Sequence, residues 1–465
     1  MIRLLAAGAA TAVVALAAAC AVVPDDVGEA EAPQSPQREA VPKPSRALAV
    51  VRVADGDTHR RIEGARVVIG RRAKVANVRG VARARVQRRA SVVVRVAKPG
   101  YIPHSARLPL GRRELTVKLY RRSLQWTMFG ANARRTSAHT DIKLRPPFRV
   151  AWSRGVGHLV EFPAVVSEGV AYVGNYKGHV YALRMRDGKV LWKQRPRSSK
   201  MASSPAIVGN SLVVHGMDGI VRVLDRRSGR VRFTYRVGSP IESSPVVVDG
   251  VDYFGAWNGR VYALDLRRQK LRWTYSSGYK ITSSAALAGG TLYIGDYGGR
   301  LLALSRRNGR LRFARSVGGR IYGTPAIAAG RVFVPSSTGG SLTAFSTGGR
   351  YLWRVSTGAY VYSSPAVWAG RVFFGSYNGR FYAVSAKSGR VLWSVSAGGP
   401  VSGAAAVVSG VAYAGSTRGR ITGVDAKSGR VVLSFPHGEY VPVSGNGRRL
   451  LLHGYSRIWA VEPKR

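Results

Sequence analysis

From about Phe162 to its C-terminus the sequence repeats itself at a fixed spacing of 40 residues. Ser203, Ser243, Ser283, Gly323, Ser363, Gly403 and Val443 hold the same place in successive units. A constant period of this size marks a repeat architecture, in which each unit buries its apolar face only by stacking on its neighbours. The unit Ser363–Ser402 shows how one copy is cut. Turn-forming residues fall at Gly370, at Tyr377-Asn378-Gly379 and at Lys387-Ser388-Gly389. The runs between them are short and rich in Val, Phe and Tyr, so they read as strands joined by tight turns.

Four antiparallel strands per 40 residues predict the blade of a β-propeller. Full units start near Phe162, Ser203, Ser243, Ser283, Gly323, Ser363 and Gly403, and an eighth starts at Val443 but ends one strand short. The missing strand lies upstream. Residues 148–153 resemble the fourth strand of a unit, with Trp152 in the position of Trp192, Trp273, Trp353 and Trp393, which Phe233 and Phe313 also occupy. The expected fold is therefore all-β: an eight-bladed β-propeller closed by the N-terminal strand. Closure removes free sheet edges. The recurring aromatic reads as packing between blades.

The units YVGNYKGHVYALRMRDGKVLW (Tyr172–Trp192) and YFGAWNGRVYALDLRRQKLRW (Tyr253–Trp273) resemble the PQQ-like repeat, and the segment Trp126–Thr136 resembles that family's lead-in. The resemblance implies the propeller from residue 123 to 465. It leaves function open, since the scaffold carries quinone enzymes and non-enzymatic binding proteins alike. Within the family the chain is similar to BamB-type lipoproteins, which implies a role in inserting barrel proteins into an outer membrane.

Upstream, residues 1–20 read as a secretory signal: Arg3, an apolar run from Leu4, and small residues before Cys20. The run Ala17-Ala18-Ala19-Cys20 fits either an ordinary cleavage site or a lipobox with Cys20 acylated. Residues 21–46, with five prolines and scattered acids, read as a disordered tether. Residues 47–122 alternate β-branched residues with turn signals and predict a small β-sandwich. The order Gly64-Ala65-Arg66-Val67, Asn77-x-Arg79-Gly80, Lys98-Pro99-Gly100-Tyr101 and Leu115-Thr116-Val117 resembles the carboxypeptidase-regulatory-like, transthyretin-like domain, which implies a rigid spacer or adhesive module. With Cys20 the single cysteine, no internal disulfide can form.

The net charge is +50, from 73 Lys and Arg against 23 Asp and Glu. A charge of this size draws an exported protein to anionic membrane or wall surfaces. Arg260, Arg300, Arg380 and Arg420 each follow the glycine of the second turn and are candidate anion contacts. Arg310, Arg390 and Arg430 follow the glycine of the third turn, so two basic rims are expected on opposite faces of the disc. Specific nucleic-acid binding is not expected, because no groove-entering element or RNA-binding signature is present.

The residues give no catalytic constellation. The eight His have no metal-ligand spacing, and neither a phosphate-binding glycine loop nor a nucleophile elbow occurs. A quinone enzyme on this scaffold needs a calcium site of carboxylate and amide oxygens and an acidic base. The propeller is poor in acids, and Asp252, Asp265, Asp296 and Asp425 read as lying at different repeat offsets or on outer strands. The family's quinone enzymes also tend to carry an adjacent Cys pair. The Ser-Ser pairs read as the starts of the innermost strands, lining the axis. No cofactor is expected, with a quinone- and calcium-dependent oxidoreductase as the alternative.

The positions just before each inner strand vary from unit to unit: Lys200, Pro240, Lys280, Arg320, Tyr360, Pro400 and Tyr440. Loops on a rigid scaffold are where binding usually sits. Lys200, Lys280, Arg320, Tyr360 and Tyr440 are therefore the candidate partner-binding rim. The reading is a monomeric, exported, membrane-anchored scaffold that binds an envelope protein or peptide, with a polyanion-binding protein as a further alternative.

Overall fold

The computed structural model describes residues 46–87, 91–195 and 200–464. The signal segment, Cys20 and the tether up to residue 45 lie outside them. Apart from one 3-10 turn, Arg122–Leu124, every regular element described is a strand. No helix among the described residues is long and apolar enough to cross a membrane.

Six four-stranded antiparallel sheets follow one another from Val165 to Ser396, and a seventh, Ala406–Pro436, has four antiparallel strands with Ala138–His139 added in parallel on its inner edge. An eighth is composite: Val443–Gly445, Leu450–His453 and Arg457–Pro463 are completed by Phe148–Gly155, which pairs antiparallel with Arg457–Pro463. The burial pattern explains why these runs are strands of different kinds. Val251–Gly255 is buried throughout, while the outermost strand of the same sheet, Lys270–Ser276, alternates exposed and half-buried residues. Middle strands are covered on both faces by neighbouring sheets, so they read as continuous apolar runs. The outer strand is covered on one face only and keeps the period of two.

The recurring aromatic packs between neighbours. Trp273 on the outer strand of the third sheet donates its indole N–H to Arg306 O of the fourth at 3.0 Å, and a Cβ on Gly309 would lie 2.5 Å from its ring. Trp192, Trp353 and Trp393 repeat the arrangement with Arg226, Ala386 and Ala426. Trp152 repeats it between the composite sheet and the first, donating to Met185 O at 2.8 Å. The third-turn glycine therefore answers a close approach as well as a positive φ. The composite and first sheets also meet where Ala164 N–H donates to His453 Nε2 at 3.1 Å.

Antiparallel order puts the turns alternately on two faces. The second turn and the link to the next sheet share what we call the upper face. The first and third turns share the lower face.

The Ser-Ser pairs sit just ahead of the innermost strands, which start at Ala206, Val246, Ala286 and Ala366. They are buried, and Ser284 and Ser364 also line a cavity on the axis. The axis itself is filled from the lower side by the segment 126–139. Its carbonyls accept the inner-strand N–H groups of Val166, Ile207, Leu287, Ile327, Val367 and Val407. An inner strand has one unpaired edge, and this segment satisfies it. At its centre Arg135 is buried and donates to Phe129 O, Ala285 O, Ser244 O and Pro245 O. Burial pulls its guanidinium down to about 9, with Asp252 opposing.

Residues 46–119 form two sheets over one apolar core that includes Val51, Val53, Val67, Ile69, Val94 and Val117. One sheet has the order Val81–Gln87, Arg46–Asp55, Glu114–Leu119, and the other Arg72–Val75, Arg66–Ile69, Val92–Ala97, His104–Leu108. This module meets the lower face of the first and composite sheets. Asn446 Nδ2 donates to the buried Asp57 Oδ1 at 2.9 Å, and Gln125 Nε2 to Asp57 Oδ2 at 3.4 Å. Tyr120 packs so close to Gly169 that a Cβ there would stand 2.8 Å from its hydroxyl.

Candidate interaction surface

The upper face is built by locking each inter-sheet link to the second turn beside it. Trp257 N–H donates to Pro240 O, Tyr297 N–H to Lys280 O, Ser337 N–H to Arg320 O and Tyr377 N–H to Tyr360 O, all at 2.7–3.0 Å. These bonds bring residues about 17 apart in sequence together. Lys280 Nζ lies 3.2 Å from the centre of the Trp257 ring and 5.0 Å from that of Tyr297. The Arg320 guanidinium lies 5.8 Å from the Tyr297 ring, and Lys200 Nζ 5.2 Å from that of Tyr176.

A chain of tyrosine contacts continues the arc. Tyr297 meets Tyr322 at 4.5 Å between centroids, Tyr322 meets Tyr362 at 5.0 Å, and Tyr362 meets Tyr377 at 4.9 Å and Tyr360 at 5.7 Å. Half of the Tyr360 surface is exposed, and Trp257 and Tyr377 remain more than a third exposed. Edge-on and tilted ring pairs of this spacing hold one another in place. The face is thus a pre-set aromatic surface with cations over its rings.

On the axis the arc borders a small cavity of about 120 Å³, floored by Phe129 and walled by Glu161, Glu242, Tyr322, Tyr362 and Tyr440. Burial, and then the neighbouring Glu242, push the Glu161 carboxyl up to about 7. Glu242 is also raised by burial, while the Trp257 indole N–H, 3.1 Å from its Oε2, and then Lys280 oppose the shift.

Of the sequence-predicted rim, Tyr440 lines this cavity, Lys280, Arg320 and Tyr360 lie on the aromatic arc beside it, and Lys200 sits over Tyr176. The second-turn arginines differ among themselves. Arg260 and Arg420 are exposed. Arg380 is exposed and donates to Ser394. Arg300 is half-buried, paired with the fully buried Asp296 at 2.7 Å and donating also to Ser277 O.

The acids fall at three repeat offsets, as the sequence predicts, with Asp265 and Asp425 sharing one; the expectation of outer strands is not met. None of the four lies on an outermost strand. Asp252 is on a second strand, fully buried, and takes His215 Nε2 at 2.8 Å. Asp296 sits in the second turn. Asp265 and Asp425 end third strands at one shared repeat position and accept the turn N–H groups that follow. This Asx role explains acids at a turn without any chemistry.

Glu161, Glu242, Tyr322, Tyr362, Trp257 and Tyr377 were not singled out from the sequence. A signal existed for part of the set: Glu242, Thr282, Tyr322, Tyr362 and Ser402 stand 40 residues apart and all line the cavity.

Four-stranded sheets in this succession define a β-propeller. The family model described as outer membrane protein assembly factor BamB matches residues 123–284, 257–348 and 322–440, and the chain belongs to this family. Among solved structures, BamB from Moraxella catarrhalis is similar with a TM-score of 0.59 at 17% identity, over 68% of this chain and 98% of that one. The quinohemoprotein alcohol dehydrogenase of Comamonas testosteroni is similar with a TM-score of 0.63 at 14% identity, over 74% of this chain and 81% of that one. A computationally designed protein, Ika8, is similar with a TM-score of 0.61 at 15% identity, over 68% and 99%. Among curated proteins the comparison finds no match. Likenesses at this identity establish the fold.

Proposed function

We propose that the chain is a non-enzymatic scaffold of the cell envelope: an eight-bladed ring, closed by Phe148–Gly155, that binds a protein partner on its upper face. The observation that carries this reading is the arc from Trp257 through Tyr297, Tyr322 and Tyr362 to Tyr377, with Lys280 and Arg320 over it. Aromatic residues and Arg, held rigid and part-exposed, are the composition of binding hot spots. The small module stands at the lower face, which leaves the arc accessible. Membership of the BamB family supports an envelope setting, and Cys20 is the proposed anchor. The module is proposed as a spacer of the carboxypeptidase-regulatory-like kind.

The alternative is a quinone enzyme. The axial cavity supplies two carboxylates, Glu161 and Glu242, of the kind such a site uses for calcium and as a base, with no third acid, His or Cys among the described residues of the same lining. Among the described residues no three His, Cys, Asp or Glu side chains converge to hold a metal.

The test is photo-crosslinking from Tyr360 on the upper face and from Arg430 on the lower, in whole cells. A discrete adduct is expected from Tyr360 alone, and it should be lost in the Lys280→Ala/Tyr377→Ala double variant. Dye reduction by the purified full chain with quinone, calcium and an alcohol would overturn the reading.

A further inference from the structure

The seam between the small module and the propeller encloses a second cavity, of about 330 Å³, on the lower side. Its wall is partly apolar, formed by Tyr120, Val170 and Leu191. Its charge is mostly basic, with two carboxylates, Asp57 and Glu168, in the same lining. His59 and Lys118 come from the module, and Arg448 from the first turn of the composite sheet.

Most other charges at the cavity are already engaged. Arg184 holds Asp187 at 2.6 Å, Arg449 holds Glu462 at 3.0 Å, and Glu168 pairs with Arg226. Asp57 accepts from Asn446 and Gln125. Burial, and then Asp55, push its carboxyl up to about 7, so near neutral pH it supplies only a fraction of a counter-charge. His59, Lys118 and Arg448 form no ion pair among the described residues. They act on one another instead: partial burial, and then Arg448 and Lys118, hold the His59 imidazole below its ordinary value. His59 is also held in a left-handed backbone conformation, φ +60°, by its N–H bond to Asp55 O at 2.9 Å. Such conformations persist where surrounding structure imposes them, and they cluster at ligand sites.

Three cationic or protonatable groups from two modules meet on a concave and partly apolar wall whose two carboxylates, Asp57 and Glu168, are already held by Asn446, Gln125 and Arg226, and this is the make-up of an anion site. We propose that this cavity binds a phosphate ester, its oxygens taken by His59, Lys118 and Arg448 and its carbon part laid against Tyr120 and Leu191. The ester could be a soluble phosphomonoester or a lipid headgroup. Because the groups come from both modules, the ligand would also clamp the seam.

The experiment is calorimetric titration of the full chain with phenyl phosphate, and separately with dihexanoylphosphatidylglycerol, at constant ionic strength. One site is expected for at least one of these two probes. Affinity should fall at least tenfold in the Lys118→Ala/Arg448→Ala double variant. It should fall less than twofold in the Arg390→Ala/Arg430→Ala double variant, which removes the same charge from the lower face elsewhere. With the phosphodiester lipid, whose charge is constant over this range, binding should tighten as pH falls and His59 takes up its proton, with Asp55 favouring that proton and Arg448 and Lys118 opposing it. His59→Gln should flatten this dependence without altering the unfolding midpoint. Preference for phenyl phosphate would assign the soluble source, and preference for the lipid the headgroup. Equal losses in the two double variants, or no heat with either probe in the wild type, would overturn the proposal.

Discussion

The backbone N–H of Ser204 donates to the side-chain oxygen of Ser244, one repeat away, at 3.0 Å. Ser244 N–H does the same to Ser284 at 2.8 Å, Ser284 N–H to Thr324 at 3.2 Å, and Thr324 N–H to Ser364 at 2.9 Å. A buried run of hydroxyls thus stitches the inner rims of neighbouring sheets together. Ser244→Ala strands a buried N–H and should cost about 1–3 kcal/mol in denaturant unfolding. Ser244→Thr should stay within about 1 kcal/mol of wild type, because Thr324 already performs this role. Equal losses in the two variants would show that the hydroxyl is not what matters.

Gly309 faces the Trp273 ring at φ +72°. Gly309→Ala adds backbone strain and a clash with an indole wedged between sheets. It should lower stability by about 2 kcal/mol or more. Gly330, also at positive φ but with nothing within 4 Å of an added Cβ, is the control. Gly330→Ala should cost less, and thermal midpoints of the two variants make the comparison.

The second-turn arginines should separate by environment. Arg300→Ala leaves the fully buried Asp296 with only its backbone donor at 3.0 Å, and should cost about 2–3 kcal/mol of stability. Arg260→Ala and Arg420→Ala should leave stability within about 0.5 kcal/mol. Each should weaken retention on phosphatidylglycerol vesicles by about 1 kcal/mol at low salt and by little at high salt. Co-sedimentation of the three variants at both salt levels decides this.

Glu161 sets a pH dependence whose sign is fixed. Its folded carboxyl holds a proton up to about 7, against 4.5 in the ordinary case. Between those values the folded state binds more protons than the unfolded one, so this group's contribution to stability falls as pH rises through the window. Glu161→Gln should match wild type near pH 4 and exceed it by about 1–3 kcal/mol at pH 8. Parallel stability curves for the two proteins would refute the shift.

Much of the architecture was legible from residues alone. The 40-residue period, the three turn signals per unit and the recurring Trp located the strands. The short last unit and the Trp152 segment pointed to the composite sheet. These are local or periodic signals, carried by turn chemistry and alternation, and they need no knowledge of what faces what. Only the tertiary structure decided the rest. Glu161 and Glu242 lie two repeats apart and meet because successive sheets converge on one axis. Arg300 pairs with a buried acid while Arg260, at the same repeat position, stays exposed, because residue 256 is Ala where residue 296 is Asp. Arg135 has no periodic counterpart, and its role appears only when carbonyls more than a hundred residues away close around it. Contacts of that kind depend on where the chain returns in space, and no pattern along the sequence records that.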